Sequence, residues 1–447
     1  MRARQRRTLT WEYSKGDVRN TKDESNPAVL VTSTDASSDL PAWSRFRGPN
    51  GTGICSDAAV PIEWGDSKNL KWKAALPGLG SSSPVLTDKF LFVTCYSGYG
   101  EDRSGGDMRQ LKRHVVCVRR DDGSIAWTKT IAAADSDDRY EGMGVPEHGY
   151  ATNTPVTDGK HLFAFLGKSG VYAYDMDGNE LWHTEVGKES GNRRWGTAAS
   201  LILVDNLVIV NASEESQAVI ALDKSTGKEV WKAPASTLEL AYGTPALCRV
   251  DDSRTDLVLA VPGEVWGLNP KTGKLVWFVE TKLTGNLSPS VIVDGDRIYA
   301  FGGYRSAGSV AIKAGGKGDV TGSHALWTSS GTSYVSTPVL VDGKFYWIDD
   351  KGMYFCQDAS DGKIVERSRV SGLSGGRPVY ASSIAVGGNI LIQSRNDGVF
   401  VLAAQPKLKI VHQNRFESDT SMSNATPAVD RGAIYLRTNQ ALYCVSQ

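Results

Sequence analysis

The chain has 447 residues, 40% of them hydrophobic, and its 50 basic residues balance 50 acidic ones to a formal net charge of zero. That balance gives no reason to expect nucleic acid or an anionic membrane surface as partner. No apolar stretch approaches the roughly 18–20 residues that span a bilayer, so no transmembrane segment is expected.

In chain order, residues 1–42 open with Arg2, Arg4, Arg6 and Arg7 and continue as a Ser/Thr/Asp/Asn-rich stretch. They hold no apolar core of about 7–15 residues, so no signal peptide is recognised and a disordered tail is expected. A lead-in, residues 43–69, brings the chain to a strand at 70–76, Leu70-Lys-Trp72-Lys-Ala-Ala-Leu76. From there a small hydroxyl residue, usually followed by proline, opens a short apolar strand eight times. The anchors read Ser83-Pro84, Thr154-Pro155, Thr197-Ala198, Thr244-Pro245, Ser288-Pro289, Thr337-Pro338, Ser382-Ser383 and Thr426-Pro427. From the second copy onward the steps are 43, 47, 44, 49, 45 and 44 residues. A fixed period of about 40–50 residues containing only strand signals predicts a β-propeller.

Each repeat continues with a turn such as Asp158-Gly159, a second apolar strand, and a third strand ending in a small residue. A tight polar hairpin follows, such as Asp223-Lys-Ser-Thr-Gly227 or Asn269-Pro-Lys-Thr-Gly273. Asp or Asn there bonds the backbone two residues on, and glycine supplies the positive φ. The fourth strand carries Trp127, Trp182, Trp231, Trp277 or Trp327, replaced by Glu366 and His412 in repeats six and seven. The last repeat stops at Gln447 after three strands, and the strand at 70–76 supplies the fourth. The expectation is an all-β, eight-bladed propeller of four-stranded antiparallel blades spanning residues 43–447, closed by its N-terminal strand and monomeric.

The six cysteines form no CxxC or adjacent pair. Cys117, Cys356 and Cys444 share one repeat slot with Ala173, Ala221, Gly267 and Ala311, which suits a small buried side chain. Cys95 and Cys117 lie on neighbouring strands, close enough to be considered as a pair; reduced core cysteines are the expectation. The histidines show no metal-ligand spacing, and Gly315-Gly-Lys-Gly318 lacks the phosphate-loop pattern and reads as a long hairpin in the fifth repeat.

The first repeat is longer than its fellows through two insertions, Ser97 to Lys112 and Ala132 to Tyr150. In a propeller both fall on the face where loops enter the first strands. The expected binding residues at that channel mouth are Tyr150, Arg194, Trp195, Tyr242, Asn286, Tyr334, Arg377, Tyr380 and Asn424. Aromatics interspersed with Arg and Asn suit a protein, a peptide or a ring-shaped small molecule. Asp135, Asp137, Asp138, Glu141 and Glu147 in the second insertion lead to the expectation of a basic partner, steered there electrostatically.

The lead-in Trp43-Ser-Arg-Phe46-Arg47-Gly48-Pro49-Asn50-Gly51-Thr-Gly53, with Ala221 to Trp231 and its echo from Gly267 to Trp277, resembles a large bacterial family of pyrroloquinoline-quinone-like propellers. The resemblance covers residues 43–447. It implies the propeller fold, and it spans quinone-dependent dehydrogenases and non-catalytic scaffolds, among them the propeller lipoprotein of the outer-membrane protein assembly machinery. Members are often exported. The dehydrogenases hold quinone and Ca²⁺ with an Asp base, and many add a disulfide between adjacent cysteines. This chain has no such pair, and its acidic hairpins, such as Asp175-Met-Asp177-Gly178, recur as turns without a complete calcium ligand set. The expectation is therefore a non-catalytic binding or scaffold module with no cofactor, no metal and no catalytic residues. A quinone- and Ca²⁺-dependent oxidoreductase is the alternative, and a propeller hydrolase or lyase the third reading.

Overall fold

The computed structural model describes residues 40–41, 43–55, 60–101, 106–141, 145–304 and 307–447. The expected disordered tail, residues 1–42, lies outside them apart from Leu40 and Pro41. Among the described residues no helix is long and apolar enough to cross a membrane.

Eight sheets form the eight blades of a propeller. Blade three shows the pattern: Ile202–Val204, Leu207–Ala212, Ala218–Asp223 and Glu229–Pro234 pair antiparallel in chain order. Blade eight takes its outer strand from the other end of the chain. Leu70–Ala75 pairs antiparallel with Ala441–Val445, with Trp72 opposite Cys444.

The small-residue slot now has its reason. Cys117, Ala173, Ala221, Gly267 and Ala311 sit directly across from Trp127, Trp182, Trp231, Trp277 and Trp327. A large ring on one strand needs a small neighbour on the next. Most of these indoles then tie their blade to the next. The Trp182 N–H donates to the Lys224 carbonyl at 3.0 Å, and Trp231 does the same to Pro270 at 3.0 Å. Gly227, at φ +71°, lies flat beneath Trp182, where a Cβ would come within 2.6 Å of the ring. Trp277 differs because the long hairpin after it pairs as an extra strand, Gly318–Asp319, parallel to Leu275–Glu280. Its indole N–H turns instead to Asp256 at 2.7 Å. Where Glu366 replaces tryptophan, the Tyr354 hydroxyl reaches the Gln405 carbonyl at 2.8 Å. Beside His412 the lead-in contributes Trp64, whose backbone N–H donates to Asn414 at 2.8 Å.

None of the six cysteines is joined in a disulfide. Cys95 pairs with His114 and Cys117 with Phe92, three residues out of register and on opposite faces, so the pairing considered for them is absent. Burial pushes the Cys248 thiol up to about 12, which leaves it inert at neutral pH.

The anchors close a circuit of hydrogen bonds around the channel. The amide of Ser83 donates to the hydroxyl of Thr154, Thr154 to Ser200, Ser200 to Thr244 and Thr244 to Ser290, at 2.9–3.1 Å. Ser290 continues to Thr337, Thr337 to Ser382, Ser382 to Thr426, and Thr426 returns to Ser83, at 2.9–3.0 Å. Two expected anchors are thereby corrected. Ser200 replaces Thr197 and Ser290 replaces Ser288, because only those hydroxyls reach the neighbouring amide. The steps from Thr154 become 46, 44, 46, 47, 45 and 44, a tighter period than first read.

The lead-in crosses the channel. Carbonyls of Trp43 and Ser44 accept from Leu86 and Thr157 at the first strands of blades one and two. Arg45 then reaches the Pro245 carbonyl of blade four at 3.2 Å, and Arg47 the Pro338 carbonyl of blade six at 2.7 Å. Ile54–Cys55 finally adds a parallel strand inside blade seven, against Ile384–Val386. Gly48, at φ +66°, lets this segment double back over Trp43.

Candidate functional site

Above the lead-in lies a cavity of about 160 Å³, open on the face that carries both insertions. Its floor is Phe46, its wall is the circuit of eight anchor hydroxyls, and its rim comes from the loops entering the first strands. Seven of the nine expected mouth residues line it: Trp195, Tyr242, Asn286, Tyr334, Arg377, Tyr380 and Asn424.

Each is fixed by a neighbour. Trp195 stacks on Tyr242 with centroids 6.0 Å apart, and the Tyr242 hydroxyl donates to Glu214 at 2.8 Å. Burial and the Glu214 carboxylate push that phenol far above its ordinary range, so it stays a donor. Asn286 donates to the Tyr334 hydroxyl at 2.8 Å, and Arg377 donates to the Tyr380 hydroxyl at 3.1 Å. That hydrogen bond raises the Arg377 pKa, keeping it a cation.

Two expected residues do not reach the cavity. Tyr150 is held under the second insertion, its hydroxyl donating to the Asp138 carbonyl at 2.8 Å and its ring edge-on to Tyr96. Arg194 is exposed in a turn at φ +51° and is not among the lining residues.

The second insertion acts as a brace across the mouth. Arg113 of blade one grips Asp137 with two bonds of 2.7 and 2.8 Å, and Lys168 of blade two holds Asp138 at 2.9 Å. Further on, Glu147 pairs with Arg395 of blade seven at 2.9 Å, while its carbonyl accepts from Asn424 at 2.9 Å. His148 Nε2 donates to the Trp195 carbonyl at 2.7 Å, and burial lowers its pKa, leaving it neutral. This corrects the expected acidic patch: three of its five carboxylates are consumed in ion pairs, leaving Asp135 and Glu141 exposed. The electrostatic case for a basic partner goes with them.

Sequence reasoning missed Phe46 as the floor and Glu147 and His148 as lining residues. The lead-in carried the first signal. The insertion's reach to blade seven left none, because Glu147 and Arg395 are 248 residues apart.

The donor set does not suit the calcium–quinone arrangement that the sequence resemblance offered as an alternative. Ca²⁺ takes about 6–8 oxygen ligands, whereas the lining carboxylate, Glu147, is committed to Arg395. Among the described residues no three His, Cys, Asp or Glu side chains cluster as metal ligands.

A family model described as outer membrane protein assembly factor BamB matches residues 111–368. The Escherichia coli (strain K12) protein of that name is 23% identical over 364 residues, covering 71% of this chain and 83% of that protein. Among solved structures, BamB from Moraxella catarrhalis superposes with a TM-score of 0.56 at 14% identity, over 84% of this chain and 98% of that one. The computationally designed Ika8 protein gives 0.55 at 10% identity, over 85% and 99%. At those identities the structural likeness speaks for the fold.

Proposed function

Because the chain belongs to the family of outer membrane protein assembly factor BamB, matched over more than half its length, we propose that it is a non-catalytic scaffold propeller holding a protein partner on its channel-mouth face. The supporting observation is the braced mouth. An insertion pinned to blades one, two, seven and eight by ion pairs and hydrogen bonds forms a preorganised platform beside an aromatic-lined cavity. Rigid aromatic anchors next to a pocket are what binding hot spots use, and preorganisation lowers the entropic cost of association.

The test is affinity capture from the source cells with the parent and two sets of variants. Trp195→Ala combined with Arg377→Ala abolishes capture of the specific partner. Val230→Ser combined with Leu326→Ser, on the exposed outer strands, leaves it intact. The reverse pattern, with both proteins melting like the parent, moves the binding face to the blade edges.

A further inference from the structure

At the bottom of the cavity stands an aromatic ring that the core of the fold does not use. Its neighbours in sequence, Arg45 and Arg47, are buried and reach carbonyls of blades four and six. Phe46 between them stays half-buried and lines the cavity. Among the described residues it joins none of the hydrophobic clusters that hold the blades together. The floor is therefore an aromatic surface without an apolar partner in the protein.

Around that floor runs the hydroxyl circuit, and all eight of its residues line the cavity. Each hydroxyl accepts one neighbouring amide, and among the described residues none gives its own O–H to a protein acceptor. A hydroxyl has one donor and two acceptor sites, so each keeps one of both kinds for other partners. Free charge is scarce beside them. Glu147 is paired with Arg395, both nitrogens of His148 are hydrogen-bonded, and Arg377 donates to Tyr380 at the rim. An apolar side chain would suit Phe46 and leave the hydroxyls without partners. An inorganic anion would use the donors alone and meet the negative face of the ring. A ring with hydroxyls at its edge and C–H bonds on its face suits both surfaces. A cavity of about 150 Å³ holds benzene, so about 160 Å³ admits one six-membered ring, its substituents toward the open mouth.

We propose that the cavity binds a polyol ring with equatorial hydroxyls, a pyranose or a cyclitol. Equatorial hydroxyls radiate in the plane of the ring toward the circuit, and the axial C–H bonds pack on Phe46. This ligand is additional to the protein partner, and the site stands on the floor and the circuit, independently of the scaffold reading.

The test titrates the full chain with methyl β-glucoside and scyllo-inositol, followed by calorimetry and saturation-transfer NMR. Two controls accompany them: methyl β-galactoside, which has one axial hydroxyl, and cyclohexylmethanol, a six-membered ring without ring hydroxyls. The glucoside binds saturably if the ligand is a pyranose and the inositol if it is a cyclitol, and both controls bind about tenfold more weakly or worse. Ala198→Phe, which fills the cavity from its wall, abolishes binding. Phe46→Leu weakens it about tenfold and leaves the melting temperature unchanged, because the ring belongs to no blade cluster. No binding of either polyol up to about 50 mM, equal binding of either control, or unchanged binding by both variants overturns the proposal. So does binding of inorganic phosphate or pyrroloquinoline quinone with no binding of the polyols. The scaffold reading fails separately, when the rim variants do not affect partner capture.

Discussion

At the scale of single residues, the tryptophans divide into two populations that their repeat positions distinguish. Trp231 is 8% exposed and bridges blades three and four, so Trp231→Ala costs about 3–5 kcal/mol, read as a lower melting temperature. Trp195 precedes a first strand and is half-buried at the rim, so Trp195→Ala leaves melting nearly unchanged and weakens binding. Equal thermal losses for the two would contradict the division. A second residue was not legible at all. Glu215 is buried, and desolvation, with Glu214 adding to it, raises its pKa to about 8 against the pull of Lys168 and Arg113. A carboxyl raised in the folded state favours folding fully below its ordinary value of 4.5, and that contribution is lost as pH rises toward 8. Glu215→Gln therefore flattens the fall in melting temperature between pH 5 and 9. A variant curve parallel to the parent would show that Glu215 does not titrate there.

At the scale of elements, the sequence exposed whatever repeats and hid whatever is singular. The hydroxyl-proline pair, the Asp-to-Gly hairpin and the tryptophan strand recur, so the blades could be aligned without coordinates. The alignment slipped at Thr197 and Ser288 because a hydroxyl beside Ala198 or Pro289 imitates an anchor, and only the cross-blade hydrogen bond identifies Ser200 and Ser290. The lead-in occurs once, and its course through the channel depends on contacts such as Arg45 with Pro245, 200 residues away. Truncations separate its parts. Deleting residues 1–42 leaves the melting temperature unchanged. Deleting 1–68, which keeps the closing strand, removes the floor and lowers it. Deleting 1–76 also unpairs Ala441–Val445 and exposes a blade edge, giving the largest loss and a tendency to associate. Identical melting of the 1–42 and 1–76 deletions would refute the N-terminal closure.

At the scale of the whole molecule, eight blades are held by two independent circuits. Indoles tie most blades near the rim of the ring, and hydroxyls tie all eight at the axis, crossing the seam between Thr426 and Ser83 without interruption. The channel, stopped by the lead-in at Phe46, becomes a one-sided cavity, and both insertions of the first repeat lie at its open side. Which face carries the insertions was legible from loop positions; that their charges are spent internally was not, because Arg113, Lys168 and Arg395 gave no sign in sequence of their partners. The central claim is that this mouth is where the protein works. Site-specific photo-crosslinking in the source cells tests it most directly, with the crosslinker at Arg139 or Arg194 on the mouth, at Val230 on an outer strand, and at Asp294 on the opposite face. The account predicts one shared adduct from positions 139 and 194 and none from 230 or 294. An adduct confined to 230 or 294 would contradict it.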